Sequence, residues 1–576
     1  MSIIISAVHR REIDPEPARR RMLAVLQELT PERLRGSMPL DVRDAAGHVQ
    51  GTLNFSGHYP RRALSLCQGK LYDSEETWWK PGTPAPDGSF AILREDADRF
   101  EAVSDPAGSR MLWYLHDDDL FVVSNSERAI TMYSGRFALN RGVVPWVVST
   151  GTRGLGASYN SHLRLLPPAA VASLDKATWR LEVAAEDIRF VETPGSREER
   201  LADLDEALAR TFASFGAEDS AHAVISLSGG CDSRALAAYL GRDVAAGWRS
   251  YSIGSKEAVA LPGSDASIAA RVAAALGLRH RTIVSDPGTV SIGDLARRFV
   301  ISGEGRHDGL IRLDSGSELQ RMSTEGVAAI IRGDEGFGWK PVAPTGLSVR
   351  MSMDLLLCGD IANLKPHLAA FGLDGHELPE ELRRGPDESI ETWRDRLYQR
   401  YRITTVLAAL TEHKAITFDT INPLLSRRAL KLTRTLPEVL RTDKALFREL
   451  VRKIGPDIPF AGREGAPSRM QNARHPEVLR AVRKTLASPA CENLFGPDLA
   501  RWLRAEIGPA RYLWNRMGQV LGRVQQRYLK QPSARDTVHL DPLRLAFRLF
   551  VATTMVEQLE TDACFQPADA LIDCAA

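Results

Sequence analysis

The residues best placed to do chemistry are Ser228-Gly-Gly-Cys-Asp-Ser233, which follow the short apolar run Ala223 to Leu227 and open a helical pattern from Ser233 to Leu240. Two adjacent glycines let a backbone approach an oxyanion closely. The N-terminus of the following helix offers unpaired N–H groups and a favourable dipole to phosphate. Asp232 adds a carboxylate at the same corner. Hard cations prefer carboxylate and phosphate oxygens, so Asp232 suits a magnesium ion that neutralises a leaving pyrophosphate. A plain strand-turn-helix corner would have the same shape, but an apolar strand before and a helix after are the context a nucleotide loop requires. The expected nucleotide cradle is Leu227, Ser228, Gly229, Gly230, Asp232 and Ser233.

The elements that must hold this loop are legible as patterns. After the strand and helix at residues 223–240 come a second strand (Arg249 to Ile253) and an alanine-rich helix (Ala266 to Leu276). Alternating strand and helix predicts a parallel sheet with crossover helices. Upstream, Ser89 to Ala129 reads as closely spaced short strands: Ser-Phe-Ala-Ile-Leu, Arg-Phe-Glu-Ala-Val, Met-Leu-Trp-Tyr-Leu and Leu-Phe-Val-Val-Ser. That spacing predicts an antiparallel sheet or sandwich. The polar stretch Val191 to Arg200 separates the two regions and precedes the helical pattern Leu201 to Phe212. Two domains are therefore expected, residues 1–195 and 196–576, the second ending in a helical part from about Thr392 that packs on the parallel sheet. No internal repeat or low-complexity tract interrupts either.

Ser-Gly-Gly-x-Asp-Ser at a strand-helix corner resembles the pyrophosphate loop of the N-type ATP pyrophosphatases. Tyr251-Ser-Ile-Gly254 and Asp265 to His280 are similar to the second strand and helix of the asparagine synthetase family. The resemblance implies that Ser252, Ile253 and Gly254 frame adenine. Asp443-Lys-Ala-Leu-Phe-Arg-Glu449 resembles that family's K-x-x-L-R-E helix, which makes Lys444 the lysine that binds phosphates and stabilises the adenylation and amide-forming transition states. Ile330-Ile-Arg-Gly-Asp-Glu-Gly-Phe-Gly-Trp339 resembles the acidic loop S-G-[DE]-G-x-D-E-x-F-G-G, shorter by about two residues. It implies Gly333 at the nucleotide and Asp334 or Glu335 as second magnesium carboxylate or base, with Asp232 and Asp334 the candidate metal ligands. Which acid does which stays open. Asp419-Thr-Ile-Asn-Pro-Leu-Leu425 echoes E-x-R-x-P-F-L, with Asn422 and Ser426 where the family has arginine and aspartate.

The first half resembles the same family through Ser104-Asp-Pro-Ala-Gly-Ser-Arg-Met-Leu-Trp-Tyr114 and Ser124-Asn-Ser-Glu127, matching D-x-x-G-x-R-P-L-Y-Y and A-S-E. This implies an N-terminal antiparallel, Ntn-hydrolase-like glutaminase scaffold beside an α/β ATP-pyrophosphatase synthetase domain. Glutamine-dependent members place a cysteine at the second position, whose thiol attacks the glutamine amide. Here that residue is Ser2, and the glutamine-holding N-G-E-I-Y-N strand is unrecognisable, so the glutaminase is expected to be inactive.

Without ammonia from glutamine another amine is needed, and the resemblance implies one within the substrate itself, as members with a dead glutaminase half commonly use, and hence ring closure. The β-lactam synthetases carry a tyrosine in the acidic loop, where this chain has Gly333-Asp-Glu335. The macrolactam synthetases that close lasso peptides are the better match. The implied cofactors are ATP and magnesium, the substrate a precursor peptide or small carboxylate, and the accompanying proteins a leader-binding protein and a protease. A small amino-acid substrate, or a non-catalytic partner that binds only nucleotide or peptide, are the competing readings.

Whole-chain properties agree. The 74 lysines and arginines nearly balance 73 aspartates and glutamates, so no global field favours nucleic acid or an anionic membrane, and tRNA modification lacks its basic surplus. Six cysteines, at 67, 231, 358, 491, 564 and 574, form no C-x-x-C pair, which argues against a zinc site or disulfide framework and fits a reducing cytoplasm. The N-terminal run Met1 to His9 lacks the marks of a signal peptide, and no run of about 18 apolar residues occurs. Arg511 to Arg527 reads as a basic amphipathic helix with a solvated face.

Overall fold

Ile3–His9 is apolar at every position to Val8 except Ser6, too apolar for a strand with one wet face, and both of its faces are covered. In the computed structural model Ile3, Ile5 and Ala7 pack on the helices Pro15–Leu29 and Glu127–Ser134. Ile4 and Val8 point the other way, into a core shared with Leu93, Phe100 and Ala172 of a second sheet. The structure describes residues 2–32, 35–36, 38–45, 47–73, 76–242, 247–284, 291–309, 317–414, 418–462, 474–507 and 538–567. The basic run Arg511 to Arg527 and Cys574 lie outside them.

The first half is a sandwich of two six-stranded sheets whose described pairs are antiparallel. Gly88–Glu95, Arg99–Ser104, Trp113–His116 and Leu120–Ser124 form strands, the first two in one sheet and the last two in the other. The turn that carries the chain from sheet to sheet is the D-x-x-G-x-R motif. Asp105 accepts hydrogen bonds from the Ala107 and Ser109 amides and the Ser109 hydroxyl, at 3.0, 2.9 and 2.6 Å. Arg110 then leaves the sandwich altogether, pairing with Asp419 at 2.5 Å and donating to the Thr420 carbonyl. Both ends of this pair are buried.

Asp419 belongs to a five-stranded parallel sheet ordered Arg279–Val284, Arg249–Gly254, Ala223–Ser226, Ala329–Ile331, Asp419–Ile421. The three strands Ala223–Ser226, Ala329–Ile331 and Asp419–Ile421 are almost wholly buried, as a parallel sheet covered on both faces demands. Ile225, Ala329 and Ile331 pack under the helices Arg197–Phe212, Cys231–Leu240 and Ala445–Ile454, while Val224, Ile330 and Phe418 fill the opposite face. From Ala223–Ser226 the chain builds outward to one edge, then crosses back to continue on the other side. The reversal falls between Ala223–Ser226 and Ala329–Ile331, and ligands of open α/β sheets bind in the crevice outside the strand ends at such a point.

The C-terminal helices depart from the expectation that they pack on this sheet. Helices Arg427–Thr435 and Ala445–Ile454 do pack on its core, and Tyr398 and Gln399 reach the acidic loop. Pro476–Leu486, Pro489–Phe495, Pro497–Glu506 and Pro542–Ala563 instead build a separate core with Val144–Thr150 and Ile292–Ser302. The reason is in Pro542–Ala563, which buries residues around most of its circumference and so needs neighbours on several sides. Asp308 anchors it through Arg544 and Arg548, at 3.0 and 2.8 Å. Among the described residues no helix is long and apolar enough to cross a membrane.

Candidate active site

Leu227, buried in the sheet core, ends the central strand by donating its amide to the Tyr251 carbonyl at 2.9 Å. The loop then closes on itself: the Ser228 amide donates to the Ser233 hydroxyl at 2.9 Å, and the Gly230 amide to the Ser228 hydroxyl at 3.2 Å. Asp265 accepts from the Gly229 amide at 2.9 Å. A Cβ on Gly229 would lie 2.6 Å from that of Ala461, whose amide donates to the Gly229 carbonyl, so this glycine is required by protein packing. Helix Cys231–Leu240 starts at Gly230 with no side chain capping it. Its first-turn N–H groups therefore offer a phosphate the donors and dipole it needs.

Across the crevice the strand Ala329–Ile331 runs into Arg332–Trp339. Gly333 is pressed against the start of that helix, where a Cβ would meet the Asp232 carbonyl carbon and the Ser233 nitrogen at 3.0 Å. The absence of a side chain lets the two loops touch, and the two acids after it face different partners. Asp334 turns to Arg332, at 3.1 Å, and accepts from Thr411 at 3.3 Å. Glu335, 3 % exposed, turns into the crevice.

Lys444 joins the two loops. Its Nζ lies 2.9 Å from both Asp232 oxygens and 2.9 Å from Glu335 Oε1. The same Glu335 oxygen accepts from the Tyr398 hydroxyl at 3.0 Å, and Oε2 accepts from the Phe337 amide at 2.7 Å. Burial pushes the Glu335 carboxyl up; Lys444 pulls it down and Asp232 pushes it up again, leaving it above the usual glutamate range. Burial would lower the Lys444 ammonium, but Glu335 and Asp232 outweigh it and hold it above its ordinary value. Cys231 is pushed up to about 12, first by burial and then by Asp232, which favours its thiol form.

The backbone at Lys444 is strained. Asp443 and Lys444 both sit in the left-handed region, at φ 55° and 54°, just before helix Ala445–Ile454 and not within it. Each costs an L-residue about 1–2 kcal/mol. The kink is held by the Asp443 amide, which donates to the Trp339 carbonyl at 2.9 Å, and by the ion pair of Arg448 with Asp443. With this backbone Lys444 reaches both Asp232 and Glu335.

Ser252 lies apart from this cluster. Its hydroxyl contacts His280 Nε2 at 3.1 Å, between neighbouring strands, while Ile253 and Gly254 end the strand beside the loop. Asp419, in the E-x-R-x-P-F-L-like stretch, is the partner of Arg110, and Ser426 caps Arg427–Thr435. Ser2 is buried, its hydroxyl accepting from Gln68 at 2.7 Å and its carbonyl from Asn125 at 2.8 Å. Two site residues escaped the sequence reading. Tyr398 and Gln399 begin a π-helical stretch, Tyr398–Leu407, and Gln399 donates to the Gly336 carbonyl at 2.9 Å. Local π-helix often marks functional sites, but no sequence pattern announces it.

The family model described as asparagine synthase matches residues 204–292, which span the Ser228 to Ser233 loop and the two strands that follow its sheet outward. No curated protein matches the chain. Among solved structures, glutamine phosphoribosylpyrophosphate amidotransferase from B. subtilis, complexed with ADP and GMP, is 11% identical over 60% of this chain and 83% of that one, with a TM-score of 0.21. A structure described as the allosteric regulatory enzyme of purine biosynthesis is 11% identical over 62% and 78%, with a TM-score of 0.22. It is the match of residues 204–292 to asparagine synthase that supports, in general terms, an ATP-dependent ligase forming amide bonds.

Proposed function

We propose that this chain is an ATP-dependent ligase of the asparagine synthetase kind that closes a peptide macrolactam, joining an α-amine to an Asp or Glu side chain as lasso-peptide cyclases do. In this reading the parallel-sheet half is an ATP-pyrophosphatase-type synthetase domain and the sandwich a degenerate Ntn-type glutaminase domain. The observation that carries it is Lys444 held between Asp232 and Glu335 at the switch-point crevice, beside an uncapped helix N-terminus.

The substrate carboxylate attacks the α-phosphorus of ATP, pyrophosphate leaves, and the amine displaces AMP from the acyl-adenylate. Lys444, strained into place, stabilises the negative charge that develops on the phosphate and then on the tetrahedral carbon. The first-turn N–H groups of Cys231–Leu240 take the departing phosphates. Glu335, whose carboxyl is raised toward neutrality, accepts the proton the attacking amine must lose, and Tyr398 fixes its orientation. The crevice suits magnesium: one ammonium faces two carboxylates, leaving a negative balance on hard oxygen donors. Magnesium bound by Asp232 would neutralise pyrophosphate charge. Asp334 is the weaker ligand candidate because Arg332 already balances it.

Burial of Ser2 under Gln68 and Asn125 supports a silent glutaminase and hence an amine from the substrate itself. The site of action is the cytoplasm, with a leader-binding protein and a protease supplying the trimmed peptide. The test is incubation with ATP, magnesium and a peptide whose free α-amine can reach an Asp or Glu a few residues on. The expected product weighs one water less than the peptide, with AMP and pyrophosphate formed alongside. Conversion of free aspartate to asparagine, with every peptide ignored, would replace the macrolactam reading with the small-substrate one. No pyrophosphate from any substrate would leave a non-catalytic nucleotide or peptide binder.

A further inference from the structure

Away from Lys444, an open hollow of ≈ 520 Å³ lies between the extended link that contains Glu186, Asp187, Arg189 and Val191 and the C-terminal end of helix Arg427–Thr435, which adds Lys431 and Arg434. Its charges do not balance. Glu186 is already paired with Arg427 and, at 3.5 Å, with Lys431. Asp187 is paired with Arg189 at 2.6 Å and lies 3.7 Å from Arg400. Arg434 is left over. It is only 9% exposed, and its Nε donates to Gln399 at 2.8 Å, but its two terminal nitrogens have no partner among the described residues. The stem is covered, and the two terminal nitrogens are open to the hollow. Burial and the neighbouring Arg427 accordingly pull Arg434 down to about 10, with Asp187 too weak a counterweight. Beyond Asp187, the Arg400 Nε is buried without a partner among the described residues.

We infer that this hollow binds the carboxylate of an acidic peptide segment, gripped by the terminal nitrogens of Arg434 with Lys431 at the rim. A guanidinium fork accepts a carboxylate or a phosphate equally well in shape, so the surroundings decide. The hollow sits at the C-terminal end of its helix, where the dipole is negative and opposes a phosphate dianion more than a single carboxylate. It is much larger than one anion, and Val191, 64% exposed, gives it an apolar wall against which a peptide can lie. Gln399 ties it to the crevice: the residue that receives Arg434 donates on its other side to Gly336, next to Glu335. The choice of a peptide as carrier rests on the macrolactam reading; the anion site itself does not.

The test uses the full chain, without ATP, and fluorescein-labelled Gly-Glu-Glu-Gly and Gly-Gln-Gln-Gly, both amidated, read by anisotropy. The acidic peptide is expected to bind about tenfold or more tighter than the neutral one, a gap of one charge-assisted contact. Val191→Glu, at an exposed position where folding is not at risk, should remove most of that gap, and Lys431→Gln should narrow it. Equal binding of the two peptides, or a gap untouched by Val191→Glu, overturns the site. Glutarate competing as well as the acidic peptide would overturn the peptide carrier, and inorganic phosphate competing better than glutarate would overturn the carboxylate. AMP formation is measured separately on the same variants. Its absence alongside intact peptide binding would sink the ligase reading alone, and its presence without Val191-dependent binding would sink this one alone.

Discussion

Around Ser2 every polar group answers another: the hydroxyl and carbonyl of Ser2 accept from Gln68 and Asn125, and the Asn125 carbonyl oxygen accepts from the Ile4 amide at 3.1 Å. These groups are neutral, although the Arg306 guanidinium donates to the Asn125 backbone carbonyl at 3.1 Å, and none of Ser2, Gln68 and Asn125 takes a left-handed backbone. Around Lys444 the groups are charged, one ammonium serves two carboxylates, and two consecutive residues hold a left-handed backbone to bring it there. The first corner has the satisfied, neutral character of a core; the second stores imbalance and strain where a charged ligand would relieve them. The contrast is the one the proposed function requires of the half built on the parallel sheet.

The contrast can be broken most sharply at Lys444. Lys444→Met should cut AMP and pyrophosphate formation by about 10²–10³-fold, the usual cost of one electrostatic stabiliser, with the fold kept by circular dichroism. Turnover within a few-fold of the parent would remove the lysine from the mechanism. Glu335→Gln should lose about 10²-fold, the lower range for a general base, while Asp334→Asn should lose far less, because its carboxylate faces Arg332. A larger loss at Asp334 would exchange their roles. The pH profile sharpens the same point. Because the Glu335 carboxyl is raised in the folded protein, its ionised form disappears at higher pH than that of free glutamate. The acid limb of the rate should therefore lie above the ordinary value of about 4.3, and Asp232→Asn, which removes a repelling charge, should move any residual rate's limb down. A limb at or below the ordinary value would show that Glu335 is not the base. Tyr398→Phe removes one hydrogen bond to Glu335 and should slow turnover about tenfold, or roughly 1.4 kcal/mol. The smallest effect is expected at Ser2. Ser2→Ala should leave glutamine hydrolysis at zero, as in the parent, and lower stability by about 1 kcal/mol, measured by urea unfolding. Glutamate release that vanishes with this substitution would restore a working glutaminase.

Two strands of the parallel sheet, Ala223–Ser226 and Arg249–Gly254, and the antiparallel strands from Ser89 onward were legible because their signals are local: apolar runs of strand length, glycine turns, helical spacing. The loop at Ser228 was legible for the same reason, since one strand, one turn and one helix carry all of it. What the sequence could not give depends on residues far apart. Nothing in Gly333-Asp-Glu335 says which acid faces the crevice; that is set by Arg332 and Thr411 on one side and by Tyr398 and Lys444 on the other. The helical resemblance around Lys444 hid a kink, because left-handed residues other than glycine leave no compositional trace. The separate core of the last helices was missed because an apolar helix does not name its neighbours.

Cutting the chain in the polar link would strand charges and would not free a module. Asp419, Glu304 and Asp562, all in the second half, are buried against Arg110, Ser126 and Arg128 of the first. A fragment beginning near residue 196 would lose Arg110 and Arg128, the partners of Asp419 and Asp562, and the Ser126 hydroxyl on Glu304, which would keep Arg306. The sandwich is thus a folding partner for the sheet. On the proposed reading, in which the first half no longer works as an enzyme, the chain would still be unable to shed it.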